Sequence, residues 1–241
     1  MTEILAVIPA RGGSKGILKK NIRQFAGKPL ITHAIDQAKS AKSINRIIVS
    51  TESKEIADIA QKNGAEVPFL RPLELAGDKS RVVDVVIDIL DRLKKEENYI
   101  PDLVMLLQPT NPLRTSEDIN GVLALLVSSG ADAVVTICST ENLLYTRNKK
   151  GLISLVSGTE LFLSSPNRQE LSDVYRLDGS MVYVVKTQVL ITERTFLPNN
   201  LAGYVIPNWR AVDIDEPEDF VVGELIMKNK NVISKDIESF K

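Results

Sequence analysis

The sequence predicts an α/β fold: a doubly wound, mostly parallel sheet with helices on both faces. Three observations predict it. Apolar runs of strand length alternate with amphipathic helical patterns up to Cys138. Two of those runs, 103–107 and 133–138, are apolar throughout, as expected of strands covered on both faces. A glycine-rich basic loop follows the first run, at the carboxyl end of a strand, where such sheets bind ligands.

The elements follow in order. Residues 4–8 form the first strand. Residues 29–39 form a helix, with Leu30, Ile31, Ala34, Ile35 and Ala38 on one face. Residues 46–51 are a second strand. Residues 54–63 are a helix stopped by Gly64. Residues 66–70 read as a short third strand, and 82–95 as a long helix that Ser80 can cap. Residues 119–127 are helical. After Cys138 the rhythm breaks, and 140–166 is polar and poorly periodic. Residues 174–185 read as strand around an Asp-Gly turn, and 202–207 as another short strand. A final helix spans 216–227, with Asp215 as N-cap and Pro217 in its first turn. The last dozen residues read as a loose tail. One domain, 1–241, is expected, with roughly 140–205 inserted as a subdomain of more antiparallel character.

Composition narrows the function. Apolar residues make up 44%, enough for a large core, and the net charge of −1 argues against a nucleic-acid binder with a broad basic face. The single Cys, Cys138, excludes a disulfide framework and reads as a buried small hydrophobe. With one His besides, His33, there is no His/Cys zinc site to build. His33 reads as a helix-surface residue. No apolar run reaches membrane-spanning length, and the first residues do not form a signal peptide. A cytoplasmic protein without membrane or nucleic-acid partners is expected.

The chemistry concentrates in a few stretches. Residues 8–21 place Gly12, Gly13 and Gly16 beside Arg11, Lys15, Lys19 and Lys20. Glycines let a backbone approach an anion closely, and amides in such turns point at phosphate oxygens. The spacing matches neither the Walker loop nor the dinucleotide fingerprint. Gln108-Pro109-Thr110-Asn111-Pro112-Leu113-Arg114 presents Gln108 at the end of the central strand. Asp213-Ile214-Asp215 puts two carboxylates on one side of an extended segment. Beside a triphosphate, that pair suits Mg²⁺, which takes one or two carboxylates plus substrate phosphates. Arg71, Ser80, the pair Arg168-Gln169, and Tyr175-Arg176-Leu177-Asp178-Gly179 complete the candidates.

Together, in this order and over nearly the whole chain, these motifs resemble the acylneuraminate cytidylyltransferases: the CMP-sialic acid synthetases and relatives acting on legionaminic and pseudaminic acids. Gly16-Ile17 is more similar to the sialic and legionaminic branches. The resemblance implies a Rossmann-like nucleotidyltransferase fold and a reaction between CTP and a nine-carbon 2-keto sugar acid, with Mg²⁺ as cofactor. It implies nucleotide contacts from Ala10, Arg11, Gly12, Gly13, Ser14, Lys15, Lys20, Asn21, Arg71 and Ser80. Sugar contacts fall to Gln108, Arg168, Gln169 and Asp178, and the metal to Asp213 and Asp215. Arg11, Lys20 and the two aspartates carry the catalysis. The insertion implies a homodimer, with Leu161, Phe162, Val182 and Tyr183 as apolar residues for a partner to cover. Three positions depart from the pattern: Asp178 replaces the usual Asn, Asn111 a common Ser, and Leu18 a common Pro. The alternatives are a CMP-Kdo synthetase, a glycosyltransferase with an Asp-x-Asp metal site, and a non-catalytic nucleotide-binding module.

Overall fold

Alternation along the first strand sets up both faces of the sheet. In β1 (Ile4–Pro9), Ile4, Ala6 and Ile8 enter one buried cluster while Leu5 and Val7 enter the other. The structure, a computed structural model, describes residues 2–14, 16–140, 145–147, 149, 152–155, 173–177 and 181–240. A small antiparallel ribbon, β2 (Gln24–Phe25) and β3 (Lys28–Pro29), leads into α1 (Leu30–Ser40). Then come β4 (Arg46–Ser50), α2 (Lys54–Lys62), α3 (Val82–Glu97), β5 (Leu103–Leu106), α4 (Ser116–Ser129) and β6 (Ala133–Ser139). Helix α2 ends at Gly64, whose φ of 89° suits a residue without Cβ. Helix α4 opens on a capping box between Thr115 and Asp118. Next, β7 (Tyr145–Arg147) pairs with β8 (Ile153–Leu155). The remaining elements are β9 (Tyr175–Leu177), β10 (Tyr183–Lys186), α5 (Thr187–Glu193), β11 (Leu201–Val205) and α6 (Pro217–Glu238).

The main sheet runs β11-β6-β10-β5-β1-β4. Strands β1, β4 and β5 pair in parallel, as do β6 and β11, while β10 is antiparallel to both β5 and β6. Helices α1, α2 and α4 cover one face, and α3 and α5 the other. The chain after β1 moves to β4 on one side, and the chain after β5 moves to β6 on the other. The loops leaving these two neighbouring strands therefore diverge, which opens a crevice at their carboxyl ends.

Several expectations need correction. Residues 66–70 form only a single bridge, Ile48 to Glu66. Pro68 has no N–H to continue a ladder. Strands β9 and β10 both run antiparallel to β6, and the Asp178-Gly179 turn lies outside the described residues. Residues 181–205, assigned to the insertion, supply β10 and β11 to the main sheet. Val182 and Tyr183 are buried there within the chain itself. Leu161 and Phe162 lie outside the described residues. The polar C-terminal stretch continues α6 to Glu238, and the N-cap is Glu216, not Asp215, with Asp219 completing its capping box. The N-cap of α3 is Arg81. The Ser80 hydroxyl instead donates to the Glu74 carbonyl at 3.0 Å.

His33 is buried rather than on the helix surface, with Nε2 2.8 Å from the Phe25 carbonyl oxygen and an edge-on contact to the Phe25 ring. Burial pushes its pKa below the ordinary 6.5, against an opposing pull from the Phe25 carbonyl. Lys28 and Lys230 push it down further and Asp36 pushes it up. A histidine held neutral gives stability that is complete above the unfolded pKa and is lost as pH falls toward the lower folded value. The melting temperature should therefore decline from about pH 6.5 downward. In His33→Gln that decline should be shallower, which thermal melts at pH 7.5 and 5.5 would measure.

Candidate active site at the ends of β1 and β5

Residues from both ends of the chain meet in the crevice. A cavity of about 420 Å³ is lined by Arg11, Ser14, Lys20 and Asn21 from the loop after β1, by Gln108 from the end of β5, and by Asp213 and Asp215. Lys20 follows Lys19, which takes the left-handed conformation at φ 53° and turns the chain into a short 3-10 helix. Its Nζ donates to Asp215 Oδ1 at 2.9 Å and to the Ile214 carbonyl at 2.7 Å. Asn21 is buried and donates from Nδ2 to the Arg11 carbonyl at 2.9 Å, which ties the start of the loop to its end.

The Asp213-Ile214-Asp215 segment is held from three sides. Ile214 is fully buried with Ile17, Phe25, Leu30 and Phe220. Its side chain faces away from the crevice, so the aspartates at either side face into it. The Ile214 N–H donates to the Thr110 carbonyl at 2.9 Å, and Asn111 Nδ2 donates to the Val212 carbonyl at 3.0 Å. Gly16 lies directly against the segment: a Cβ there would sit 2.3 Å from the Asp215 carbonyl oxygen. Two carboxylates facing one cavity are a suitable oxygen donor set for a divalent cation. The Lys20 ammonium on Asp215 already stands where a cation is attracted.

Two further cavities flank the first. One, about 250 Å³, is lined by Arg11, Arg71, Leu75, Asp78 and Ser80. Arg71 is buried and bonds Ser50 through its guanidinium, and burial lowers its pKa from the usual arginine range. The other, about 340 Å³, is lined by Gln108, Tyr183, Arg194, Phe196 and Leu197. Gln108 lines both this cavity and the first. A larger cavity of about 660 Å³ lies beyond the 112–114 stretch, around His33, Trp209 and Arg210. It shares none of the loop residues.

The structure thus gathers most of the residues picked from sequence. Ala10 is fully buried, and its N–H donates to the Ser50 carbonyl at 2.9 Å, so it shapes the loop from below. Gly12 differs from the expectation of an amide aimed at phosphate, since its N–H donates to Glu52 Oε1 at 2.6 Å. Gly13 has open space around it. Lys15, Arg168, Gln169 and Asp178 lie outside the described residues. Arg114 is buried, not on the surface, and its guanidinium donates to the Gln108 and Met181 carbonyls. Sequence reasoning missed Glu52, Asp78 and the structural part played by Asn111. Glu52 sits two residues past the end of β4, a carboxyl-end position that could have flagged it.

From residue 5 to residue 214 the sequence matches the family model described as cytidylyltransferase. The chain belongs to this family. A CMP-N,N'-diacetyllegionaminic acid synthase of Legionella pneumophila is 36% identical over 226 residues, covering 93% of this chain and 96% of that protein. The Campylobacter jejuni protein of the same name is 33% identical, covering 98% of this chain and all of the relative. Among solved structures, a CMP:2-keto-3-deoxy-manno-octonic acid synthetase complexed with CTP superposes with a TM-score of 0.70. At 15% identity, over 95% of this chain and 100% of that one, it attests the Rossmann-like nucleotidyltransferase fold.

For this cytidylyltransferase, the fit of Gly16 against Asp215 gives a prediction. The obstructing atom is backbone, so Gly16→Ala must push the loop and the aspartate segment apart. Misplacing catalytic groups by about 1 Å can cost on the order of 100-fold in rate. Gly16→Ala should lower kcat with CTP by about that factor, while circular dichroism and gel filtration stay those of the parent.

Proposed function

We propose that this cytidylyltransferase joins CMP, taken from CTP, to a nine-carbon 2-keto sugar acid of the legionaminic or sialic type and releases pyrophosphate. The observation that carries the reading is that Arg11, Lys20, Gln108, Asp213 and Asp215 converge on one cavity, and that Gln108 also lines a second. The relatives named as legionaminic acid synthases support the sugar class. In this reading the triphosphate lies in the loop cavity, and cytidine in the smaller cavity beside Arg71 and Ser80. The sugar lies beside Gln108. Its anomeric hydroxyl loses a proton as its oxygen bonds the α-phosphorus, and the bond from that phosphorus to pyrophosphate breaks.

The protein's part is positioning and charge stabilisation, as is usual in phosphoryl transfer. Arg11 and Lys20 would meet the charge that develops on the phosphates. Gln108 would orient the sugar, with Arg168 and Gln169 assigned to its acid end by family resemblance. Asp213 and Asp215 would hold Mg²⁺, which when bound neutralises the phosphates and favours pyrophosphate as leaving group. We also propose a homodimer, since Tyr175 and Leu177 are exposed apolar residues on β9 and a second copy would cover them. No helix among the described residues is long and apolar enough to cross a membrane.

The direct experiment incubates the protein with Mg²⁺, each of the four nucleoside triphosphates and a panel of nonulosonic acids. Pyrophosphate should appear with CTP alone, and fastest with a legionaminic or sialic acid. Release with CTP and Kdo but no nine-carbon acid would overturn the reading.

The metal assignment has its own test. Asp215→Asn should lower turnover by about 100-fold, as removal of one transition-state stabiliser does. It should also weaken Mn²⁺ binding followed by electron paramagnetic resonance. Unchanged Mn²⁺ binding in that variant would move the metal elsewhere.

A further inference from the structure

Residues 210–214 are tied at three points to the loop that follows β5, and the ties descend in step along the two segments. The Thr110 carbonyl accepts from the Ile214 N–H, Asn111 donates to the Val212 carbonyl, and Arg210 donates to the Leu113 carbonyl at 3.5 Å. Arg210 carries the last tie further, into a helix. Its Nη2 donates to Asp118 Oδ1 at 2.8 Å and its Nη1 to Asp118 Oδ2, a two-point fork. Asp118 also accepts from the Thr115 N–H at 2.8 Å in the capping box of α4, so the fork ends on a fixed helix terminus. The pair is largely out of water, with side chains 15% and 3% exposed. Both residues line the larger cavity around Trp209, and neither lines the one that holds Asp213 and Asp215.

We propose that Arg210, held by Asp118, is a positioning residue for a divalent-cation site at Asp213 and Asp215. The inference rests on the metal reading given above. A buried ion pair is a poor source of net stability, because desolvation consumes most of the attraction. A two-point fork does fix geometry, since the planar guanidinium meets both carboxylate oxygens in one orientation only. Asp213 follows Arg210 by three residues, so the fork sets where the chain enters the aspartate segment. Without it, that entry is free to shift about the Asn111 and Thr110 bonds, and the two carboxylates lose their common aim. Arg210 touches no ligand in this arrangement and acts through the backbone.

Electron paramagnetic resonance of Mn²⁺ tests this without the sugar-acid assay. Arg210→Met combined with Asp118→Asn removes the fork and leaves no buried charge unpaired, while the asparagine oxygen still accepts from Thr115. Mn²⁺ binding to the double variant should weaken by about 10- to 100-fold, the range for outer groups that orient metal ligands. Turnover with CTP should fall and recover in part as Mg²⁺ is raised. Arg210→Lys keeps the buried charge compensated and gives up one bond, so it disturbs the fold less. Its Mn²⁺ binding should weaken by about two- to tenfold. Arg46→Met is the comparison. Arg46 is another little-exposed guanidinium, paired with Glu66 and Glu97 at the amino end of β4, away from the crevice. Its loss should lower the melting temperature and leave Mn²⁺ binding as it is. Unchanged Mn²⁺ binding in Arg210→Lys and the double variant, or an equal weakening in Arg46→Met, would overturn the inference. Absence of Mn²⁺ binding by the unaltered protein, or unchanged binding in Asp215→Asn, would instead remove the metal reading beneath it.

Discussion

The site depends on one docking event: residues 212–215 lie clamped across the ends of β1 and β5. The clamp has a polar part and an apolar part. Thr110 and Asn111 bond the backbone of Ile214 and Val212, and the Ile214 side chain is buried among Phe25, Leu30 and Phe220. Burying such a side chain contributes about 1.5–3 kcal/mol, and each hydrogen bond about 1 kcal/mol. Those contributions fix two aspartates against a loop that lies 195 residues earlier in the case of Lys20 and Asp215. Gly16 permits the contact because a side chain there would collide with backbone.

A second constraint is charge. Several donors of the basic loop meet carboxylates from elsewhere in the chain, and three of these contacts border the crevice: Gly12 N–H meets Glu52, Arg11 meets Asp78, and Lys20 meets Asp215. These donors are thus already paired with carboxylates of the chain itself. The three contacts differ in character. Glu52 is half-buried against the loop backbone and serves as part of the scaffold. Asp78 and the outer side of Asp215 remain in water, where ion pairs are weak and exchange easily.

The scaffold that carries these loops is rigid for a reason visible in the sheet. Strand β10 fills the gap between β5 and β6 in antiparallel sense, so β1, β5 and β10 each have neighbouring strands on both sides. Arg114 ties the loop after β5 to that strand through the Gln108 and Met181 carbonyls. Functional groups on loops are in this way positioned by the packed sheet beneath them.

Local pattern carried much of this. The apolar runs at β1, β5 and β6, the period of α1 and α3, and the glycines after β1 are legible because their causes are near in sequence. The motifs of the loop, of Gln108 and of Asp213-Ile214-Asp215 were legible for the same reason, and through them the family. What sequence missed is what distant contacts decide. Pro68 let only one bridge form where a strand was expected, because pairing needs a donor that the ring removes. His33 went inside because Phe25 and Phe220 close over α1, which no helical period reveals. Residues 181–205 joined the main sheet because β5 and β6 offer free edges with matching register. The partners of Arg11 and Gly12, Asp78 and Glu52, were unreadable for a similar reason. Nothing in the chain near residue 11 or 12 specifies which carboxylate folding will bring alongside.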